Sequence, residues 1–127
     1  MRLEHANLTV SNIDKSFDFY QRVLNFEKRW EGTAMGETGP VRAIHIGTHD
    51  TYLSLFETGK TNRAPANYGD PGLNHLGFQV EDLQPYRDRL ANLGVEIHLE
   101  ADYDPGERIY FYDPDGVEIE LVKYQTS

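Results

Sequence analysis

A seven-residue pattern occurs twice in this chain, and the recurrence limits what the chain can fold into. Glu4-His5-Ala6-Asn7-Leu8-Thr9-Val10 is matched by Asn74-His75-Leu76-Gly77-Phe78-Gln79-Val80. Each copy alternates polar and apolar residues from a histidine to a valine, as a half-buried strand does. Residues that cap helix N-termini follow each copy, in Ser11-Asn12-Ile13-Asp14 and Glu81-Asp82-Leu83-Gln84. Self-similarity of this kind marks two copies of one supersecondary unit. At 127 residues the chain is one compact domain, or two half-size modules too small to stand alone.

The spacing predicts a helix over residues 15–24, with Phe17, Tyr20 and Leu24 on one face. It predicts a second over 83–93, with Leu83, Tyr86, Leu90 and Leu93 aligned and Gly94 as its stop. Strand-like runs follow each helix, at 27–31, 41–47 and 51–57, then at 95–99, 108–112 and 117–123. Asp113-Pro114-Asp115-Gly116 is a strong turn signal between the last two. The expected class is α+β: two βαβββ modules forming curved half-barrel sheets, with helices on the outer face. Module one covers about 1–57 and module two about 73–127. A Gly-, Pro-, Asn- and Asp-rich linker covers about 58–72, and a loop at 101–106 edges the site.

Strand side chains alternate between faces. One face collects aliphatic residues: Ala6, Leu8, Val10, Ile44, Ile46, Leu53, Leu55, Ile109, Ile119 and Leu121. The other collects His5, Asn7, His45, Tyr52, Ser54, Phe56, His75, Tyr110, Tyr112, Glu118 and Glu120. A merely solvated face would be richer in Lys and poorer in Tyr and His. Turned inward on a curved sheet, this second face walls a cavity. Asn7, His45, Tyr52, Ser54, Phe56 and Tyr112 are the expected substrate-contacting residues, and Trp30, Arg42 and Glu118 are further candidates for the lining. His5, His75 and Glu120 form a divalent-metal ligand set. Two imidazoles and one carboxylate leave open positions on an octahedral ion, which favours Fe or Mn, with Zn or Ni also accommodated.

Composition narrows the partners. The net charge of −9 opposes a phosphate-backbone partner, so no nucleic acid is expected. No apolar run reaches membrane-spanning length, so no membrane partner is expected either. The opening residues alternate like a strand rather than forming a cleavable leader, from which a cytoplasmic protein is expected. Cysteine is absent, which removes disulfides, thiolate ligands and Cys nucleophiles.

The His5 strand, SFDFYQRVLNFE, NHLGFQV and above all YFYDPDGVEIEL make the chain resemble the vicinal oxygen chelate superfamily, the glyoxalase/bleomycin-resistance/extradiol-dioxygenase group. The resemblance covers essentially the whole chain. It implies paired modules that complete one another's half-barrels, commonly across a homodimer, and a small-molecule substrate chelated through vicinal oxygens. The family often has a fourth ligand position, which glyoxalases fill with Glu. The internal repeat puts Ser54 there, with Glu57 three residues on and facing the other way. A three-ligand set resembles extradiol dioxygenases and fosfomycin-modifying thiol transferases. In both, a Tyr stands ten residues before the metal Glu; here it is Tyr110, the expected catalytic residue. Dioxygenases also use an acid/base His, for which His45 and His98 are candidates. The expectation is thus a metal-dependent, ring-cleaving dioxygenase-like enzyme. The alternatives are a glyoxalase-type lyase or isomerase, an antibiotic-resistance thiol transferase, or a non-catalytic bleomycin-resistance-like binder.

Overall fold

The computed structural model describes residues 1–61 and 68–125, and the chain divides into two units, Met1–Asn62 and Arg63–Ser127. The first unit comprises β1 (His5–Val10), α1 (Ile13–Leu24), β2 (Glu27–Gly36), β3 (Gly39–Gly47) and β4 (Tyr52–Glu57). Its sheet order is β1-β4-β3-β2. β1 runs parallel to β4, and the other pairs are antiparallel. The second unit comprises β5 (His75–Gln79), α2 (Gln84–Asn92), β6 (Leu99–Tyr103), β7 (Gly106–Tyr112) and β8 (Glu118–Tyr124). Its order, β5-β8-β7-β6, repeats the first strand for strand. The βαβββ duplication expected from the pattern is therefore the fold.

α1 begins two residues earlier than its periodicity suggested, because Asn12 is the cap. The Asn12 side chain accepts from the Lys15 amide at 2.9 Å, satisfying one of the amides that a helix start leaves unpaired. Asn25 ends the helix in the left-handed conformation, with φ 59°. The buried stripe is Ile13, Ser16, Phe19, Tyr20, Val23 and Leu24. Phe17, expected on that stripe, lies at its margin, since the true stripe is set by Ile13 and Tyr20. α1 packs on β3 and β4. There Ile44, Ile46, Leu53 and Leu55 are all buried, each contributing about 1.5–3 kcal/mol by leaving water.

In the second unit Ile109, Phe111, Ile119 and Leu121 are wholly buried, together with Leu83 and Leu90 from the α2 segment. α2 itself buries only Leu90. The strand expected at 95–99 forms instead at Leu99–Tyr103. The cause is the helix end: Gly94 takes φ 69° and the Val95 amide donates back to Leu90 O at 2.9 Å. Val95 thus closes the helix, and pairing starts at His98, whose amide donates to Tyr110 O at 3.0 Å. The loop expected at 101–106 shrinks to a turn, because residues up to Tyr103 pair with β7. β2 and β3 are longer than expected, meeting in a hairpin through Gly36 and Gly39. Of the expected linker, residues 62–67 lie outside the described residues. Among those described, no helix is long and apolar enough to cross a membrane.

Candidate metal centre

The Asp113-Pro114-Asp115-Gly116 turn sets the carboxylates of β8. Asp113 is buried, and its Oδ1 accepts from the amides of Asp115 at 2.9 Å and Val117 at 2.8 Å. Gly116 supplies the positive φ, 85°, that the turn requires. From there alternation turns Ile119 and Leu121 into the core and Glu118 and Glu120 to the other face. β8 pairs Glu120 with Gly77 of β5 and Tyr110 of β7, and pairs Glu118 with His75 and Tyr112.

His75 and Glu120 meet directly, Nε2 to Oε1 at 2.9 Å. The other Glu120 oxygen accepts from Arg108 Nη1 at 3.0 Å, which leaves Oε1 turned toward the imidazole. The Arg108 guanidinium lies over the Tyr103 ring, 4.2 Å from its centroid. Tyr110 stands edge-on to His75, ring centroids 5.6 Å apart. Burial, aided by a hydrogen bond with Tyr103 and the Glu120 charge, pushes its phenol up to about 12. Tyr110 is therefore a proton-bearing donor at neutral pH.

Glu118, two residues before Glu120 and just as buried, joins the same cluster. It accepts from His98 Nε2 at 2.8 Å and from the Tyr68 hydroxyl. Burial raises the Glu118 carboxyl, but those two hydrogen bonds and the neighbouring imidazoles outweigh it, and the net shift is downward. The same hydrogen bond, first, and then burial push Tyr68 up to about 12. Tyr68 also lies 3.0 Å from His75 Nδ1. His98 stacks flat on Tyr112, centroids 4.1 Å apart. Tyr68 has no periodicity to betray it in the sequence; Glu118 has one, since Glu118-Ile119-Glu120 places both carboxylates on one face.

The first unit carries the other expected residues. His5 stacks on Tyr52 at 4.7 Å, with the planes 12° apart, and its Nδ1 donates to Glu4 Oε1 at 3.0 Å. Tyr52 meets His45 at 4.6 Å, and His45 meets Trp30 at 4.7 Å. Four rings thus cross the sheet in a ladder, with the Arg29 guanidinium over Tyr52. Burial, then the nearby His5, lowers the His45 pKa. Trp30 is 43% exposed, so it belongs to the ring ladder rather than to the core. Asn7 donates to Ser54 Oγ at 3.1 Å. Phe56 lies toward the other end of the β1/β4 pair, with Thr9, Met35, Val41 and Lys60 around a cleft of about 300 Å³. Arg42 is on the helix side instead, paired with Asp14 and Glu31 at 3.0 Å each, because it shares a face with Ile44.

The strand registers settle the repeat alignment. Asn7 pairs with Ser54 as Gly77 pairs with Glu120, so Ser54 occupies the position equivalent to Glu120. Glu57 is engaged elsewhere: its Oε2 accepts from the Ile13 amide at 2.8 Å and caps α1. Among the described residues no three His, Asp or Glu side chains are grouped to hold a metal by themselves. The second unit supplies two converging donors, an imidazole nitrogen and a carboxylate oxygen. That chemistry suits a borderline divalent ion.

This duplicated fold, with a His-Glu pair and a proton-bearing Tyr on one sheet face, defines a class of small α+β proteins built on paired modules. The chain belongs to the Glyoxalase/Bleomycin resistance protein/Dioxygenase superfamily, whose family model matches residues 2–121. It is 29% identical over 124 residues to glyoxylase I 4 of Arabidopsis thaliana, spanning 94% of this chain and 68% of that protein. It is 30% identical over 123 residues to glutathione transferase FosA of Serratia marcescens, spanning 94% of this chain and 78% of that one. A glyoxylase/bleomycin resistance protein/dioxygenase domain from Frankia sp. EAN1pec shares the fold, with TM-score 0.82 and 24% identity over 100% of this chain and 94% of that one.

Proposed function

We propose that the protein is a metal-dependent enzyme acting on a small substrate that presents two adjacent oxygens. The observation that carries this reading is the convergence of His75 Nε2 and Glu120 Oε1, 2.9 Å apart, beside a buried, protonated Tyr110. His75 and Glu120 are two proposed ligands. His5 is the third, on the strength of its repeat-related position and of an Nδ1 tied to Glu4, which leaves Nε2 free. When bound, the ion supplies Lewis acidity toward developing oxyanion charge. Tyr110 donates a hydrogen bond or a proton to a substrate oxygen. Arg108 holds Glu120 in one orientation. Tyr112 and the ring ladder of the first sheet supply flat apolar surface for the substrate.

Among reaction types, the three-ligand reading supports ring-cleaving dioxygenase chemistry first. Ser54 offers no carboxylate at the fourth position, and Glu57 is spent on the helix. In that reaction His98 is the candidate acid/base residue. Glutathione-linked lyase or transferase chemistry is the second reading, favoured by the name of the Serratia marcescens relative, a glutathione transferase. The ion proposed is Fe(II) or Mn(II), and the assembly a homodimer.

The test loads the purified protein in turn with Fe(II), Mn(II), Ni(II) and Zn(II), and measures metal by elemental mass spectrometry and mass by light scattering. About one ion per chain, lost in His75→Ala and Glu120→Gln, supports the reading; no retained metal in any condition overturns it. Loaded protein is then assayed with catechols, with the adduct of glutathione and methylglyoxal, and for thiol addition to an epoxide. Cleavage of the catechol ring supports the first reaction type, and turnover only with a thiol overturns it in favour of the second.

A further inference from the structure

We propose that Tyr68 and Glu118 are positioning residues that set which nitrogen of His75 carries its proton, and so which one faces a metal ion. The inference rests on the metal-centre reading above. It is argued from the direction of the hydrogen bonds. A carboxylate only accepts, so the Tyr68 hydroxyl and His98 Nε2 both donate to Glu118. Tyr68 has then used its one proton, and the 3.0 Å contact to His75 Nδ1 must be a donation from Nδ1–H to the phenol oxygen. The chain of donors runs one way: His75 Nδ1–H to Tyr68, and Tyr68 O–H to Glu118.

With Nδ1 held as the donor, Nε2 is the nitrogen left for the ion, and it is the one directed at Glu120. An ion held between Nε2 and Oε1 would leave the Nδ1 hydrogen bond undisturbed. His5 repeats the logic in a simpler form, since its Nδ1 donates straight to Glu4 Oε1 at 3.0 Å. Both proposed imidazole ligands thus have the same nitrogen tied to a carboxylate, directly in one case and through a phenol in the other. Outer partners of this kind fix ring orientation and tautomer, and their loss typically costs about 10- to 100-fold in metal affinity. Glu118 would otherwise be a buried carboxylate with no evident purpose two residues from Glu120.

Two variants separate the possibilities. In Glu118→Gln the amide can donate to the Tyr68 oxygen, turning the phenol proton toward Nδ1 and reversing the chain. In Tyr68→Phe the link is cut, and because Tyr68 is 62% exposed the fold is kept. Zn(II) affinity is measured by calorimetry, and the His75 tautomer by long-range ¹H–¹⁵N NMR of the Zn(II)-loaded protein. The expected result is coordination through Nε2 in the unmodified protein, with affinity about 10- to 100-fold weaker in both variants. Glu118→Gln should also take the proton off Nδ1 of the metal-free ring, since Nδ1 then accepts from the phenol. His98→Gln, which keeps a donor toward Glu118, should bind like the unmodified protein. Zn(II) bound through Nδ1, or affinity in Tyr68→Phe and Glu118→Gln equal to that of the unmodified protein, overturns the inference while leaving the metal centre standing. No Zn(II) binding by the unmodified protein overturns both.

Discussion

Replacing Glu57 distinguishes a helix cap from a metal ligand, because the two roles predict opposite losses. Its Oε2 is 2.8 Å from the Ile13 amide at the start of α1, and Ile13 is wholly buried. The Asn12 side chain is already committed to Lys15, so nothing else in the cap replaces Glu57. Alanine removes the acceptor and the negative charge from the helix start. Lost caps cost about 0.5–2 kcal/mol, and a buried amide left unpaired about 1–3 kcal/mol. These describe the same event, so the expected loss is about 2 kcal/mol. Spread over 127 residues, an unfolding entropy of about 2.1 cal/mol/K per residue converts this to roughly 7 °C in Tm. Glutamine keeps an oxygen acceptor and should lose about half as much. Calorimetric melting, with Zn(II) stoichiometry measured in parallel, reads both roles. The cap predicts a lower Tm and unchanged stoichiometry. Lost metal with an unchanged Tm would refute the assignment and add Glu57 to the ligand set.

Three further outcomes are expected. Tyr110→Phe should retain its metal while turnover falls about 10²- to 10⁴-fold, the usual contribution of a positioned proton donor; undiminished turnover would remove Tyr110 from the chemistry. Ile119→Ala, at a wholly buried position, should cost about 2–5 kcal/mol by chemical denaturation, and a loss below 1 kcal/mol would mean that the β8 core face had been misassigned. The Asp14 carboxyl is lowered by its bonds to Arg42, and Glu31 by Lys28 and then Arg42. Carboxyls lowered in the folded state add stability above their unfolded pKa and lose it as pH falls through the folded one. Arg42→Ala should therefore flatten the acid limb of Tm against pH below about 4.5, modestly because these groups are exposed; superimposable limbs would count against the pairing.

The duplicated pattern was enough to find the architecture, because hydrophobic alternation and cap residues are local signals. It also placed His75, Glu120 and Tyr110 on one face, since a period of two leaves no other choice once the strands are known. It failed where long-range pairing overrode local pattern. Val95 has the composition of a strand start, yet it closes α2, and only the register with β7 shows that β6 begins at Leu99. Arg42 was read toward the cavity, although it alternates with Ala43 and so shares the helix side with Ile44. Tyr68 was invisible, because a tyrosine in a polar, aperiodic stretch carries no sign of which side chains it will reach. Glu57 looked like a stray carboxylate until its partner, an amide 44 positions away in sequence, came into view.

The turn held by Asp113 has a consequence for quality control in the cell. β8 interleaves Ile119 and Leu121 with Glu118 and Glu120, so a slip of one residue exchanges every side chain between faces. Two carboxylates would then be driven into the apolar core, and the aliphatic pair into the open. Such a chain loses its folding energy together with the placement of its carboxylates, and becomes a target for proteases and chaperones rather than a folded but defective protein. Gearing the charged and greasy residues to the same ratchet makes folding its own proofreader.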